Sequence, residues 1–296
     1  MPEELHDAVQ SLAHNKAPGE SGILPEMVKH AGAVFHSALL SLVHRVWQER
    51  SVPQAWRNAE LVPIPKKGDP TRCDNWRGIA LLDAVGKVVG RLIQTRLQRL
   101  AESELPESQC GFRTGRSCTD QIFSTRQLIE KFYEHRTPGF LVFIDLRKAY
   151  DSISREALWK GLKILGVPPT LLAIIASFHD GMTAQVRVGT TSTEKIDVKN
   201  GLRQGCSMAP VLFNLFFALV LERWQAEVAE SCPGVYFKFN INGNLFNKPR
   251  TKHHRSSVSD FEFADDAVLV ALSHQTSELA LNGFTRVAAD FGLSSQ

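Results

Sequence analysis

The segment Phe140-Leu141-Val142-Phe143-Ile144 is a continuous apolar run closed by a charge, Asp145. A short apolar run of this kind reads as the central strand of a sheet, buried on both faces. The acid at its end must then either reach solvent at the end of the sheet or sit against a cation. Far along the chain a second pair of strands, Phe261-Glu262-Phe263 and Ala267-Val268-Leu269-Val270, is joined by Ala264-Asp265-Asp266. Taken alone, two Asp in a turn are explained by turn chemistry, because Asp hydrogen-bonds its own backbone and tolerates unusual dihedrals.

Around these strands the apolar pattern is helical, which makes the chain mixed. A helix is expected from about Pro25 through Trp47, after a loop at Lys16–Gly22. Ala59–Ile64 and Gly78–Leu82 read as a hairpin whose tip, Lys66-Lys67-Gly68-Asp69-Pro70, is basic. Val88, Leu92, Ile93, Leu97 and Leu100 mark one face of the next helix, and another runs from about Thr119 to Glu134. Ser154 caps a helix bearing Leu158 and Leu162 that ends by Gly166 and Pro168, and a second carries Leu171 to Phe178. Ala184–Val188 and Lys195–Val198 alternate around Gly189-Thr190 as a hairpin. Asn200–Gly205 is a glycine-bearing loop, and Pro210 suits the first turn of a long helix reaching about Ala229. Asn240–Ser259 is polar and basic and reads as a mobile loop, while Glu278–Phe291 is helical until Gly292.

Composition narrows the class. With 296 residues, 43% of them hydrophobic, the chain can bury a sizeable core, and 22% charged residues argue against disorder. The net charge of +3 is unevenly placed: Arg45 to Arg99 holds eleven Lys or Arg against five Asp or Glu. Such a segment suits a phosphate backbone, although a solvated basic helix reads the same way. Five cysteines without CxxC spacing argue against a disulfide framework, a disulfide-linked partner or a structural zinc site. The N-terminus has no signal-like apolar core, and the longest apolar run, Val211 to Leu221, is interrupted by Asn214. A soluble protein of cytoplasm or nucleus with no membrane contact is expected.

Asp145 changes the reading of Asp265 and Asp266. Two Mg²⁺ ions about 3.5 to 4 Å apart, held by two or three carboxylates, can activate a hydroxyl and stabilise a leaving pyrophosphate. Acids on adjacent strands of one sheet meet that need. The residues are then recognisable. Phe143-Ile144-Asp145-Leu146-Arg147-Lys148-Ala149-Tyr150-Asp151 resembles motif A of LINE-type (non-LTR) reverse transcriptases. Asn200-Gly201-Leu202-Arg203-Gln204-Gly205-Cys206-Ser207-Met208-Ala209-Pro210 resembles motif B, and Phe263-Ala264-Asp265-Asp266 resembles motif C. Upstream, Lys16-Ala17-Pro18-Gly19 looks like the N-terminal extension, and Ile64-Pro65-Lys66-Lys67 with Asn75-Trp76-Arg77-Gly78-Ile79 like the fingers motifs. Gln109-Cys110-Gly111-Phe112-Arg113 with Gly115-Arg116 looks like the segment that follows.

The resemblance implies an α/β (α+β) right-hand polymerase fold, with an antiparallel palm sheet backed by helices and a helical fingers subdomain. Residues 1–139 would be fingers with the N-terminal extension, and 140–296 the palm. It implies an RNA-directed DNA polymerase that adds dNTPs to the 3′-hydroxyl of a DNA primer, or of nicked target DNA, along an RNA template. Asp145, Asp265 and Asp266 would hold two Mg²⁺ ions, with Mn²⁺ able to replace them. Lys66 and Arg77 would contact the incoming triphosphate. The Tyr150 ring would exclude a ribose 2′-hydroxyl. Gln204 and Gly205 would lie against template base and nucleotide, and Arg113 and Arg116 would grip template phosphates. Two departures stand out: Phe263 replaces the Tyr usual in motif C, and the sequence stops in motif D before its lysine, so a thumb is expected to be missing. A competing expectation is a truncated or domesticated relic that binds nucleic acid without catalysis. An RNA-dependent RNA polymerase would share the palm logic.

Overall fold

The computed structural model describes residues 1–203, 205–240 and 253–294. The chain clusters into two compact units, Met1–Glu104 with Tyr150–Phe213, and Leu105–Ala149 with Asn214 onward.

In the first unit the expected hairpin forms. Ala59–Pro65 pairs antiparallel with Trp76–Leu81, in a register that sets Ile64 opposite Arg77 and Pro65 opposite Trp76. Thr183–Val188 adds parallel to the inner side of Ala59–Pro65, and its own outer side carries Thr191–Ser192 and Ile196–Asp197, both antiparallel. Gly189, at φ +62, makes that second turn as its position between alternating segments implies. The helix Ala84–Glu104 buries Val88, Leu92, Ile93 and Leu97, so the three- and four-residue spacing reports a true core face. The helix expected from Pro25 through Trp47 is two helices, Pro25–Lys29 and Ala33–Glu49. Gly32 takes an extended conformation (φ −71°, ψ 173°) as the N-cap of the second, where its backbone freedom costs less than in a helix interior. Ser154 Oγ accepts from Ala157 N at 3.3 Å and starts the helix Arg155–Ile164, which Pro169–His179 follows.

In the second unit a three-stranded antiparallel sheet runs Phe140–Ile144, Asp266–Ala271, Asp260–Phe263. Phe140–Ile144 is therefore an edge strand among the described residues rather than the central one, and Phe143 is 73% exposed. The central place belongs to Asp266–Ala271, whose Leu269 and Val270 are buried. Hydrophobicity told that Phe140–Ile144 is a strand, but a run apolar on both faces does not say which face has a cover. The helix His274–Asp290 packs on this sheet, opened by a Ser273–Thr276 capping box and stopped by Gly292 at φ +82. Against it lies the later part of the helix Ala209–Val228. Phe217 and Trp224 meet Phe284 edge to face at 6.3 and 6.4 Å, and Trp224 Nε1 donates to Ala280 O at 3.0 Å. Each such fully buried ring contributes on the order of 1.5–3 kcal/mol.

The loop expected over Asn240–Ser259 is replaced in part by structure. Val235–Asn240 pairs antiparallel with His253–Val258, and residues 241–252 lie outside the described residues. The alternation Val235, Phe237, Phe239 carried the strand signal, which the basic residues around it obscured.

Candidate functional site

The acid cluster is built by strand register in the second unit. Ala267 pairs with Ile144 and Asp266 pairs with Phe263, so one further step of the ladder sets Asp145 across from Asp266. Opposed residues of an antiparallel pair lie roughly 4.5–5.5 Å apart at Cα and share a face. Asp265 is in the two-residue connection with Ala264, directly before Asp266. Positions 145, 265 and 266 thus lie at one end of the sheet. The Asp266 carboxyl is raised above its ordinary value, first by partial burial and then by the charges of Asp265 and Asp145. Such uncompensated negative charge is what a divalent cation would relieve, and the all-oxygen donor set suits a hard ion. The acids are neighbours rather than a closed ligand set: among the described residues no three His, Cys, Asp or Glu side chains are gathered tightly enough to hold an ion. Ligation on this frame requires the carboxylates to rotate toward one another.

Behind the turn is a buried polar layer that the sequence reading missed. Ala264 has φ +61°, a left-handed conformation that costs a residue with a Cβ roughly 1–2 kcal/mol. Gln109, fully buried, accepts from Ala264 N through Oε1 at 2.9 Å and donates to Ala264 O through Nε2 at 3.3 Å. The same amide receives Gly111 N at 2.7 Å and donates to Glu262 Oε2 at 3.2 Å. Glu262 is 1% exposed, takes a hydrogen bond from Ser108 Oγ at 3.0 Å, and its backbone bridges to the Ser108–Cys110 segment. Gln121 Nε2 donates to Glu262 O at 2.8 Å. Asp260, two residues earlier on the same strand face, is also buried. Burial, followed by the charge of Asp260 and a hydrogen bond to it, holds the Glu262 carboxyl well above the usual range.

Because the folded value of Glu262 exceeds the unfolded one, its contribution is complete below about pH 4.5 and is lost as pH rises through the folded value. Urea unfolding should therefore show stability falling above that pH, with a slope approaching about 1.4 kcal/mol per pH unit from this group. Glu262→Gln, which fixes the neutral state, is expected to remove that slope; an unchanged slope would show that the acid stays ionised.

The remaining sequence-predicted residues fall in both units. In the first, Lys66 and Arg77 are exposed at the tip end of the hairpin. Lys66 N donates to Asn75 O at 2.7 Å, one step past the ladder, and the two-residue period puts the Lys66 and Arg77 side chains on one face. Tyr150 stacks on Phe213 with centroids 4.7 Å apart and an interplanar angle of 21°. Its carbonyl accepts from Leu202 N at 2.7 Å, which ties the glycine loop to the short helix Ala149–Ser152 that carries the ring. Arg155 holds the same loop, donating to the carbonyls of Gly201, Val198 and Asn200 at 3.0, 2.9 and 3.2 Å. Gly205 has φ +90°, and a Cβ there would come within 2.9 Å of Ala80 O, so a close approach within the chain already accounts for glycine. Gln204 lies outside the described residues. In the second unit, Arg113 is 7% exposed and donates Nη1 to Pro106 O and Gln109 O at 2.8 and 3.2 Å. These two bonds tie one nitrogen of its guanidinium to the main chain of its own loop. Arg116 is exposed and paired with Glu107.

All five cysteines are free, and among the described residues no helix is long and apolar enough to cross a membrane. Residues 64–295 match the family model described as "Reverse transcriptase (RNA-dependent DNA polymerase)". The chain is similar to the "Transposon TX1 uncharacterized 149 kDa protein" of Xenopus laevis, 27% identical over 279 residues, covering 91% of this chain and 19% of that protein. It is similar to the "RNA-directed DNA polymerase from mobile element jockey" of Drosophila melanogaster, 27% identical over 72% of this chain and 24% of that one. A third relative is the "Retrovirus-related Pol polyprotein from type-1 retrotransposable element R2" of Popillia japonica, 28% identical over 72% of this chain and 29% of that one. The chain thus spans less than a third of the length of these curated relatives. Among solved structures, apo telomerase from Candida tropicalis, truncated from its C-terminal domain, shares the fold with a TM-score of 0.57 at 12% identity, over 88% of this chain and 54% of that one. Telomerase from Candida albicans in complex with a telomeric RNA fragment gives 0.55 at 12% identity, over 88% and 44%. With the family model covering most of the chain and the relatives drawn from non-LTR elements, this mixed α/β chain belongs to the reverse transcriptase (RNA-dependent DNA polymerase) family, in its non-LTR retrotransposon branch.

Proposed function

We propose that this chain is the nucleotidyl-transferring part of a non-LTR reverse transcriptase, which extends a DNA primer or nicked target strand with dNTPs along an RNA template. The observation that supports the reading is the strand register, in which Asp145 and Asp266 each lie one step along from the Ala267–Ile144 pair, with Asp265 in the adjoining turn. Residues 140–296, with the carboxylates, would act as palm and residues 1–139, with the basic hairpin, as fingers of a right-hand polymerase. The compact units are cut differently from these functional segments.

Asp145, Asp265 and Asp266 would hold a pair of Mg²⁺ ions, or Mn²⁺ in their place, which supply Lewis acidity for a 3′-hydroxyl and charge neutralisation for a leaving pyrophosphate. The chain's own groups bind and orient. Lys66 offers a compact cation and Arg77 a planar fork, side by side on one hairpin face, as a triphosphate requires. Gln204 and Gly205 belong to the loop that would face the template base and nucleotide. Arg116 would meet template phosphates by exchanging its Glu107 partner, whereas the main-chain bonds of Arg113 suit it to shaping that loop.

Extension of a labelled DNA primer on an RNA template with dNTPs and Mg²⁺, using the 296-residue chain, tests the proposal. Template-dependent products support it, and products no greater than those of Asp265→Asn sink it. Tyr150 tests sugar choice. With its ring held flat against Phe213, one edge of the side chain is fixed in place. Tyr150→Val is expected to lower the preference for dNTPs over NTPs by about tenfold or more, read as the ratio of kcat/KM values. An unchanged ratio would remove the steric role.

A further inference from the structure

Gln109 is far from the acids in sequence, carries no charge and lies wholly inside the protein, yet its amide touches the peptide that opens the acid turn. Resting on the reading of Asp145, Asp265 and Asp266 as cation ligands, we propose that Gln109 is a positioning residue: by gripping both the N–H and the C=O of Ala264 it fixes where Asp265 and Asp266 present their carboxylates.

The partners determine which way the amide points. Oε1 lies between two donors, Ala264 N and Gly111 N at 2.9 and 2.7 Å, and Nε2 faces two acceptors, Ala264 O and Glu262 Oε2 at 3.3 and 3.2 Å. A flipped amide would oppose like to like on all four contacts. Ser108 Oγ donates to the other Glu262 oxygen, Oε1, at 3.0 Å, on the side away from Gln109. Gly111 completes the arrangement. A Cβ there would lie 2.2 Å from Ala264 N and 3.0 Å from Gln109 Oε1, so only glycine lets the two segments meet. Its carbonyl is held in turn by the buried Asn214, whose Nδ2 donates to Gly111 O at 2.7 Å. Ala264 sits in the left-handed region without being glycine, a conformation that persists only where neighbours over-determine it. Gln109 supplies two of the bonds that do so. The backbone that carries the next residue's carboxylate inherits that fixed position, and the side chain then rotates from it, as ligands around metals generally depend on the groups behind them.

The test is Mn²⁺ binding by the 296-residue chain, followed by the electron paramagnetic resonance of the free ion, beside far-ultraviolet circular dichroism. Wild type, Asp265→Asn, Ser108→Ala and Gln109→Leu are compared. Wild type is expected to bind and Asp265→Asn to lose most of that affinity. Ser108→Ala, which touches only the far side of Glu262, should stay close to wild type. Gln109→Leu, of similar volume, should keep its secondary structure and bind roughly tenfold or more weakly. Binding by Gln109→Leu equal to that of Ser108→Ala overturns the proposal while leaving the acids as ligands. Equal binding by Asp265→Asn and wild type overturns both. Should Gln109→Leu fail to fold, amide hydrogen exchange on wild type decides: the Ala264 N–H is expected to be protected although its turn ends the sheet, and exchange at the rate of an unstructured loop rejects the grip.

Discussion

Asp265→Asn is expected to lower primer extension by about a thousandfold or more, while leaving the fold intact and making the divalent-free chain slightly more stable. The two effects have one cause. Asp265 and Asp145 both raise the Asp266 carboxyl, so the three acids repel one another wherever no cation offsets them. Removing one charge relieves that repulsion, by about 0.5 kcal/mol after solvent screening at this partly exposed position. On the proposed reading the same change would also remove an oxygen anion from a cation's coordination. A metal contributes several kcal/mol to a phosphoryl transition state, and each 1.36 kcal/mol is about tenfold in rate. Asp265 is half-buried in a connection rather than in the hydrogen-bonded ladder, so the substitution leaves every strand pair in place. Extension at saturating dNTP, set beside urea unfolding without divalent ions, separates the outcomes. Activity lost together with stability would mean that the acid is structural, and activity retained would mean that it is not a ligand. Asp145→Asn should follow the same pattern, because its charge also raises the Asp266 carboxyl.

Much of this arrangement was legible from the sequence, for reasons that are local. Strand and helix periodicity found the hairpin at Ala59–Pro65, the core face of Ala84–Glu104 and the strands around Asp145 and Asp265, because each pattern repeats within a few residues. What failed depended on partners remote in the chain. The edge position of Phe140–Ile144 is set by which element covers it, a fact not written in the strand itself. On an isolated strand, alternation would bury Phe261 and Phe263; instead Asp260 and Glu262 occupy the inward face. They can do so because Ser108 and Gln109, more than 150 residues away, supply donors to Glu262. The one available signal was two acids at a two-residue interval in a strand, which reads as a solvated face until a polar cover is known. Glycines divide in the same way. Their presence in the loop after Asn200 was evident, and a nucleotide was the expected neighbour, whereas the atoms that crowd Gly201 and Gly205 belong to the chain's own backbone.

That distinction has a large measurable consequence. Gly201→Ala is expected to destabilise the chain by about 3 kcal/mol, as the sum of a dihedral cost near 1 kcal/mol and an overlap cost near 2. Gly201 is buried at φ +77°, and a Cβ would come within 2.6 Å of Asp151 O and 2.7 Å of Asp151 Cα. Neither contact is the far end of a flexible side chain, so the backbone must move. It is held against moving: Gly201 N donates to Ile153 O at 3.0 Å and Gly201 O accepts from Arg155 Nε at 3.0 Å. Gly189 provides the matching measurement, since it has φ +62° with open space where its Cβ would go. Gly189→Ala should show the dihedral cost alone, about 1 kcal/mol. Urea unfolding of the two variants therefore isolates the overlap as their difference. Equal losses would mean that Asp151 yields freely and that the glycine serves a ligand instead. In that event Gly201→Ala should lose no more stability than Gly189→Ala and should lose affinity for template or nucleotide. A full stability loss would mean that the loop after Asn200 is shaped first by the short helix that carries Tyr150, because Leu202, the next residue, donates its N–H to the Tyr150 carbonyl.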